Sequence, residues 1–343
     1  MAKKKKCTQY SGIGGQAVLE GVMMKNKEKY AVAVRKPNGD ISVEVEHYAG
    51  VLPGNKIKEI PFIRGVFNFV ESLILGMRCI NYSAVMSDDV DDKTTGTVAD
   101  GGGSKFTTTI ITCISILMAI GIFIVLPYYL ASLLGKTIMN DSLLAILEGA
   151  IRIAIFILYV VGISAMKDIR RLYRYHGAEH KCINCIERGK PLTVRNVMRS
   201  SRLHKRCGTS FMFFVLFVSI VLFFFIRVDN PIQRVLLRVA LMPVVAGISY
   251  EFIRLAGRHD NIFVKIISVP GMLIQRLTTK EPDRKMIEVA IVSVEAVFDW
   301  KQYLKDTFGK EEDESWYEDD SYKRPATVEE IVEEEQYEEY EDV

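Results

Sequence analysis

FTTTIITCISILMAIGIFIVLPYYLASLLG, residues 106–135, runs for 30 positions without a charge, bracketed by Lys105 and Lys136. About 20 apolar residues of helix suffice to cross the hydrocarbon core of a bilayer, so the stretch predicts a transmembrane helix. Residues 207–226 repeat the pattern, with 20 uncharged positions between Arg206 and Arg227. Residues 143–166 are long enough to cross but carry Glu148 and Arg152, each costing roughly 3 kcal/mol alone at the centre of a spanning helix. Four apart and acid first, the two share a helix face and can neutralise each other. Residues 235–253 have an apolar centre at 239–250 and include Arg238, Pro243 and Glu251; they make a fourth expected span.

The rest of the composition agrees. Of 343 residues, 49% are hydrophobic and 25% charged, with a mean hydropathy of +0.14, which excludes a wholly disordered chain. Six irregularly spaced cysteines fit a reducing compartment better than a secreted disulfide framework. The formal net charge of +2 hides an asymmetry: residues 311–343 hold 16 acids against Lys323 and Arg324. The body is basic and the tail acidic.

Loop charge sets the expected orientation. The 167–206 connection has 12 Lys or Arg against Asp168, Glu179 and Glu187, whereas 136–142 has one charge of each sign. By the positive-inside rule the long loop is cytoplasmic, and four crossings put both termini in the cytoplasm of a multi-pass cell-membrane protein. No signal-peptide pattern precedes the first span.

Outside the spans, KYAVAVRKPNGDISVEVEHY alternates apolar and polar residues about Asn38-Gly39, a strong hairpin signal. Gly12, Gly14 and Gly15 lack the context of a phosphate loop and read as a flexible or tight-turning backbone. Residues 60–84 place Arg64, Asn68, Glu71, Ser72 and Arg78 on one polar stripe of an otherwise apolar helix, as suits an interfacial position. Residues 262–277 are apolar but interrupted by Pro270-Gly271, which predicts a break. A helix is expected after Pro282-Asp283. The expected fold class is mainly α and integral membrane: about four transmembrane helices, an N-terminal β-hairpin element and cytoplasmic amphipathic helices. The chain divides into a β element (1–59), an amphipathic interfacial helix (60–86), a linker (87–105), a membrane domain (106–253) with its cytoplasmic loop at 167–206, a cytoplasmic helical region (254–310) and a disordered acidic tail (311–343).

The chemistry concentrates in that loop. In YHGAEHKCINC, His176, Glu179 and His180 have His-x-x-Glu-His spacing. Two histidines one helical turn apart can share a metal ion, and the glutamate between them can act on a water it carries. Three of the five histidines, His176, His180 and His204, fall in this loop. His204 is the favoured third ligand, with Cys207, Glu251 and His259 as alternatives. A competing pattern is Cys182-x2-Cys185 followed by His204-x2-Cys207, four ligands that would close a structural zinc site with no room for water. The plainest alternative has no metal and solvated histidines. Spacing alone leaves all three open.

The stretches GGQAVLEGVMMK, RGVFNFVESLILGMRCINYSA, YHGAEHK, SRLHKRCGTSF and RLTTKEPDRKMIEVAI together resemble the YqhQ-like family of bacterial multi-pass membrane proteins, a domain of unknown function described as predicted metal-dependent. The resemblance covers about residues 11–298 and places the family's His/Glu stretch on His176, Glu179, His180 and Lys181, and its His-x-x-Cys stretch on His204 and Cys207. Cys182 and Cys185 lie outside that pattern, which favours the His/Glu grouping over the four-ligand knot. Arg284 and Met286 stand where an acid and a polar amide are usual. The resemblance implies a class and no reaction.

The resulting expectation is a membrane metalloprotein with a divalent ion, zinc by ligand type, held by His176, His180 and His204, and with Glu179 as catalytic base of a hydrolase. The alternative from another class is a non-catalytic membrane scaffold or assembly factor whose basic loop and acidic tail bind partners. The expected partners are the lipid bilayer and a protein docking on the acidic tail; the poor interleaving of aromatic and basic residues disfavours nucleic acid.

Overall fold

The structure, a computed structural model, describes residues 9–51, 60–87, 105–134, 141–226, 228, 230–258, 262–313 and 316. Most of the expected linker, His259 and nearly all of the acidic tail lie outside the described residues.

The expected hairpin is there, β3 (Lys29–Arg35) and β4 (Ile41–His47), turning at Gly39 with φ of 100°. It belongs to a larger element. β1 (Ile13–Val18) and β2 (Gly21–Asn26) precede it, and the four form an antiparallel meander in the order β1-β2-β3-β4. The glycines expected to be flexible or tight-turning sit in or beside a strand, Gly12 with φ of 83° and Gly14 and Gly15 within β1. Pairing of Val22 with Ala33 and of Met24 with Ala31 puts these residues on one buried face. Val18, Met23, Tyr30, Val32 and Val34 line the other, against Leu75 and Cys79 of α1 (Ile63–Ser87). A sheet covered on both sides holds apolar residues at consecutive positions, which blurs the period-2 signal of β2.

The first face is covered by α5 (Lys167–Glu187) and α11 (Arg284–Glu295). Asp283 caps α11 by accepting from Met286 N–H at 3.0 Å, and every residue from Met286 to Val294 is buried. Each large aliphatic side chain so buried contributes about 1.5–3 kcal/mol. α6 (Val194–Met198) and α12 (Trp300–Phe308) complete this body.

Among the described residues three helical stretches are long and apolar enough to cross a membrane: Ile110–Leu134, Ser142–Ser164 and Gly208–Phe225. The first runs from within α2 (Lys105–Ile120) through a π-helical turn at Gly121–Val125 to the end of α3 (Leu126–Leu134); the wider turn falls just before Pro127, which has no N–H to give. The second lies in α4 (Asp141–Ser164), and the third is α7 (Gly208–Phe225). The expected fourth span is two helices, α8 (Pro231–Ala240) and α9 (Met242–Arg258), bent by 43°. Pro243 in the first turn of α9 removes a backbone donor at the bend.

Residues 262–278 depart from expectation. Instead of breaking at Pro270-Gly271 they form one helix, α10 (Ile262–Thr278). A Cβ on Gly271 would come 2.9 Å from Ser210 Oγ, so the glycine lets α10 lie close along α7. That packing outweighs the breaker preference.

Candidate metal centre

α5 supplies the first part of the site. Its helical geometry puts His176 and His180 one turn apart, ring centroids 4.4 Å from each other. The connection from α5 to α7 supplies Cys207, the N-cap residue of α7, whose Sγ accepts from Thr209 N–H at 3.4 Å. His176 Nε2 lies 3.0 Å from Cys207 Sγ. One ligand atom each from His176, His180 and Cys207 falls within a 4.8 Å envelope.

Both imidazoles are tethered through their other nitrogen. His176 Nδ1 lies 3.0 Å from the Thr278 carbonyl at the end of α10, and His180 Nδ1 lies 2.6 Å from the Arg202 carbonyl. A carbonyl only accepts, so each Nδ1 carries a proton, and each Nε2 offers a lone pair to a metal ion once its own proton has left.

The surrounding chain is built to allow these approaches. Lys280 N–H donates to the Tyr173 carbonyl at 2.8 Å, laying the segment after α10 across α5 at Gly177, where a Cβ would meet the Lys280 carbonyl oxygen. Gln275 accepts from His204 N–H at 2.9 Å and donates to the His204 carbonyl at 2.6 Å and to Ser210 Oγ at 2.8 Å. These bonds tie the residues before Cys207 to α10. On the sheet side, a Cβ on Gly15 of β1 would come 2.9 Å from Glu179 Cγ.

Electrostatics follow from burial and proximity. Burial alone would raise the Cys207 thiol, but the two imidazoles outweigh it and hold the pKa well below the ordinary thiol value. Burial likewise pulls His176 down, yet the Cys207 sulfur prevails and lifts it to about 9; His180 moves up for the same reason. Glu179 is raised by burial, with both imidazoles opposing.

The other expected site residues are placed elsewhere. His204 has its ring centroid 5.7 Å from that of His180, but its Nε2 faces Glu187 Oε2 at 3.5 Å and Arg206 at 3.3 Å, and it is not in the three-residue group. Burial is the main reason its pKa is lowered, so it is neutral at pH 7. Glu179 borders the group without joining it. Cys182 and Cys185 are buried in the apolar core beside the sheet, and Cys185 Sγ lies 3.3 Å from the Pro191 carbonyl; the four-ligand knot is not assembled. Glu251 is paired with Arg64 of α1. The sequence reading passed over Glu187, Gln275 and the two orienting carbonyls. Cys207 did carry a signal for its position, standing just before Gly-Thr-Ser and an apolar run, where a helix N-cap is expected.

Comparison with known proteins gives the chain relatives without an activity. A family model described as "Protein of unknown function (DUF1385)" matches residues 60–300, from just before α1 to the start of α12, the three grouped residues included. A protein of Bacillus subtilis (strain 168) called "Uncharacterized protein YqhQ" is 35% identical over 289 residues, covering 82% of this chain and 90% of that one. No solved structure matches.

Proposed function

This chain belongs to the DUF1385 family of proteins of unknown function, and we propose that it is a multi-pass membrane metalloprotein in which His176, His180 and Cys207 hold a divalent ion for metal-assisted hydrolysis. The carrying observation is the pair of tethered imidazoles: both Nδ1 atoms sit against backbone carbonyls, the second partner that metal-ligating histidines commonly have. Tetrahedral zinc bound at about 2.05 Å to nitrogen and 2.3 Å to sulfur sets those ligand atoms about 3.6 Å apart, which fits inside the 4.8 Å envelope. Imidazole with thiolate suits zinc and not magnesium or calcium.

Three protein ligands leave one position open, and zinc so held would supply a Lewis acid and a water of lowered pKa. Glu179 is one turn from His176, its approach permitted by Gly15, and it serves as proton acceptor. The Lys and Arg excess of the 167–206 connection puts the site on the cytoplasmic side of a cell membrane. The C-terminal end of α4 and the start of α7, which lead into the sheet body, then lie at the inner surface, with both termini cytoplasmic.

Burial favours a second reading, since Glu179, His180 and Cys207 are each less than a tenth exposed. A closed metal pin would hold α5 to α7 without turnover, as a scaffold requires. Elemental analysis and chromogenic ester and peptide substrates distinguish the two. Stoichiometric zinc should disappear in His176→Ala and Cys207→Ala and survive Cys182→Ser/Cys185→Ser. Glu179→Gln should keep the zinc and lose hydrolysis. Wild-type protein with zinc and no turnover of any substrate overturns the hydrolase and leaves the pin; wild-type protein without zinc overturns both.

A further inference from the structure

A second charged cluster lies among the apolar helices. Glu148 and Arg152 of α4 pair at 2.7 Å, as their spacing predicts. The structure adds Arg238 of α8, whose Nη2 donates to Glu148 Oε2 at 2.9 Å while its Nη1 lies 2.6 Å from Oε1. Among the described residues, two guanidinium groups thus share one carboxylate, and the side chains of Arg152 and Arg238 are 5% and 7% exposed.

Among the described residues these cations find little else to pair with. Arg152 Nη1 reaches Ser219 Oγ at 3.5 Å, and Arg152 Nε is buried with no hydrogen-bond partner among the described residues. Both guanidinium groups rest on the Phe223 ring, 5.4 and 5.1 Å from its centroid. Twelve residues of helix separate Arg152 from Ser164 at the end of α4, about 18 Å at 1.5 Å per residue. The cluster is therefore far from Cys207 and well inside the span. A surplus cation there costs several kcal/mol unless it is paired.

A small cleft adjoins it, lined by Arg152, Arg238, Glu148, Ile220, Phe223 and Phe224 among others, with room for about one particle of water size. We propose that this cleft binds one small monovalent anion of halide size between Arg152 and Arg238. The two guanidinium groups supply the charge and the donors, Glu148 cancels one of the two charges, and the aromatic wall excludes bulk water. A phosphate group is too large for the space, and the cluster lies deeper than lipid headgroups.

The test uses the full chain purified in detergent in a halide-free gluconate buffer, titrated with radiolabelled chloride. Wild type should bind one chloride per chain, saturably. Arg238→Gln should weaken binding at least about tenfold. Glu148→Gln removes the competing carboxylate and should tighten binding about tenfold, a gain that a purely structural ion pair does not produce; helical circular dichroism verifies that each variant is folded. Absence of saturable chloride binding in both wild type and Glu148→Gln overturns the proposal. So does co-purification of an anionic phospholipid that occupies the cleft in place of chloride and is lost in Arg238→Gln, since it replaces the small ion by a headgroup.

Discussion

The backbone of α5 at Gly177 and the carbonyl oxygen of Lys280 approach so closely that a Cβ on residue 177 would overlap that oxygen. Two residues before Lys280, the Thr278 carbonyl orients His176, so the glycine and the proposed ligand depend on the same segment. Gly177→Ala must push that segment off α5. The expected cost is about 1–3 kcal/mol of stability, with zinc held about ten- to a hundredfold less tightly because His176 loses its orienting partner. Competition with a zinc chelator measures the second effect. A Gly177→Ala protein that holds zinc like wild type would show that the close approach does not serve the site.

Glu187, at the end of α5, gives the protein a defined acid sensitivity. Burial acts to raise its pKa, but His204, Arg206 and the Ser11 N–H prevail and bring it to about 2, against 4.5 for an ordinary glutamate. His204 is neutral at pH 7, so Arg206 supplies the opposing charge. A depressed carboxylate pKa stabilises the fold fully above pH 4.5, and that contribution is lost as the pH falls toward 2. It corresponds to about 3 kcal/mol. Glu187→Gln should therefore lower stability at pH 7 by about that amount and flatten the decline between pH 4.5 and 2. Thermal unfolding at pH 7, 4.5 and 3 should bring variant and wild type together at low pH; a gap that stays constant with pH would contradict this.

What the sequence disclosed and what it hid divide along physical lines. Length and hydropathy are local, so residues 106–135 and 207–226 announced their helices, and the i,i+4 spacing of Glu148 and Arg152 announced their pair. Helical spacing likewise aligned His176 with His180. Hidden were relations between segments. β2 is apolar at consecutive positions because both faces of its sheet are covered, and Pro270 is tolerated because Gly271 packs α10 onto Ser210. Arg238 joins Glu148 from another helix. His204 and Cys207 are three residues apart in an irregular connection, where no periodicity tells which side chain reaches His176. The chain path set by Gln275 decides it: Cys207 meets His176, and His204 meets Glu187 farther along α5.

His204 provides the test of that outcome. Its Nε2 faces Glu187 and Arg206, so His204→Gln should leave zinc stoichiometry unchanged. It should still destabilise the fold by about 1–3 kcal/mol through the buried carboxylate that loses a partner. His176→Gln, with a similar change in shape, should lose the metal. Elemental analysis of the two variants side by side decides between them; loss of zinc in both would return His204 to the ligand set.

Gln275 ties the chain on both sides of Cys207 to α10. Fully buried, it makes two bonds to the His204 backbone and one to Ser210 Oγ, on either side of the cysteine in sequence. Gln275→Leu keeps the bulk and removes all three bonds, leaving the His204 N–H and carbonyl buried and unpaired at a cost of about 1–3 kcal/mol each. The relaxed connection should carry the sulfur away from His176, so zinc should bind about tenfold more weakly, in line with the loss of an outer partner. It should also free the thiol. Metal-free Gln275→Leu should react with a maleimide faster than metal-free wild type, counted against a Cys207→Ser control to isolate this sulfur. Unchanged labelling and unchanged zinc affinity would mean that α7 alone fixes Cys207 through its N-cap, and that Gln275 only fills the space between helices.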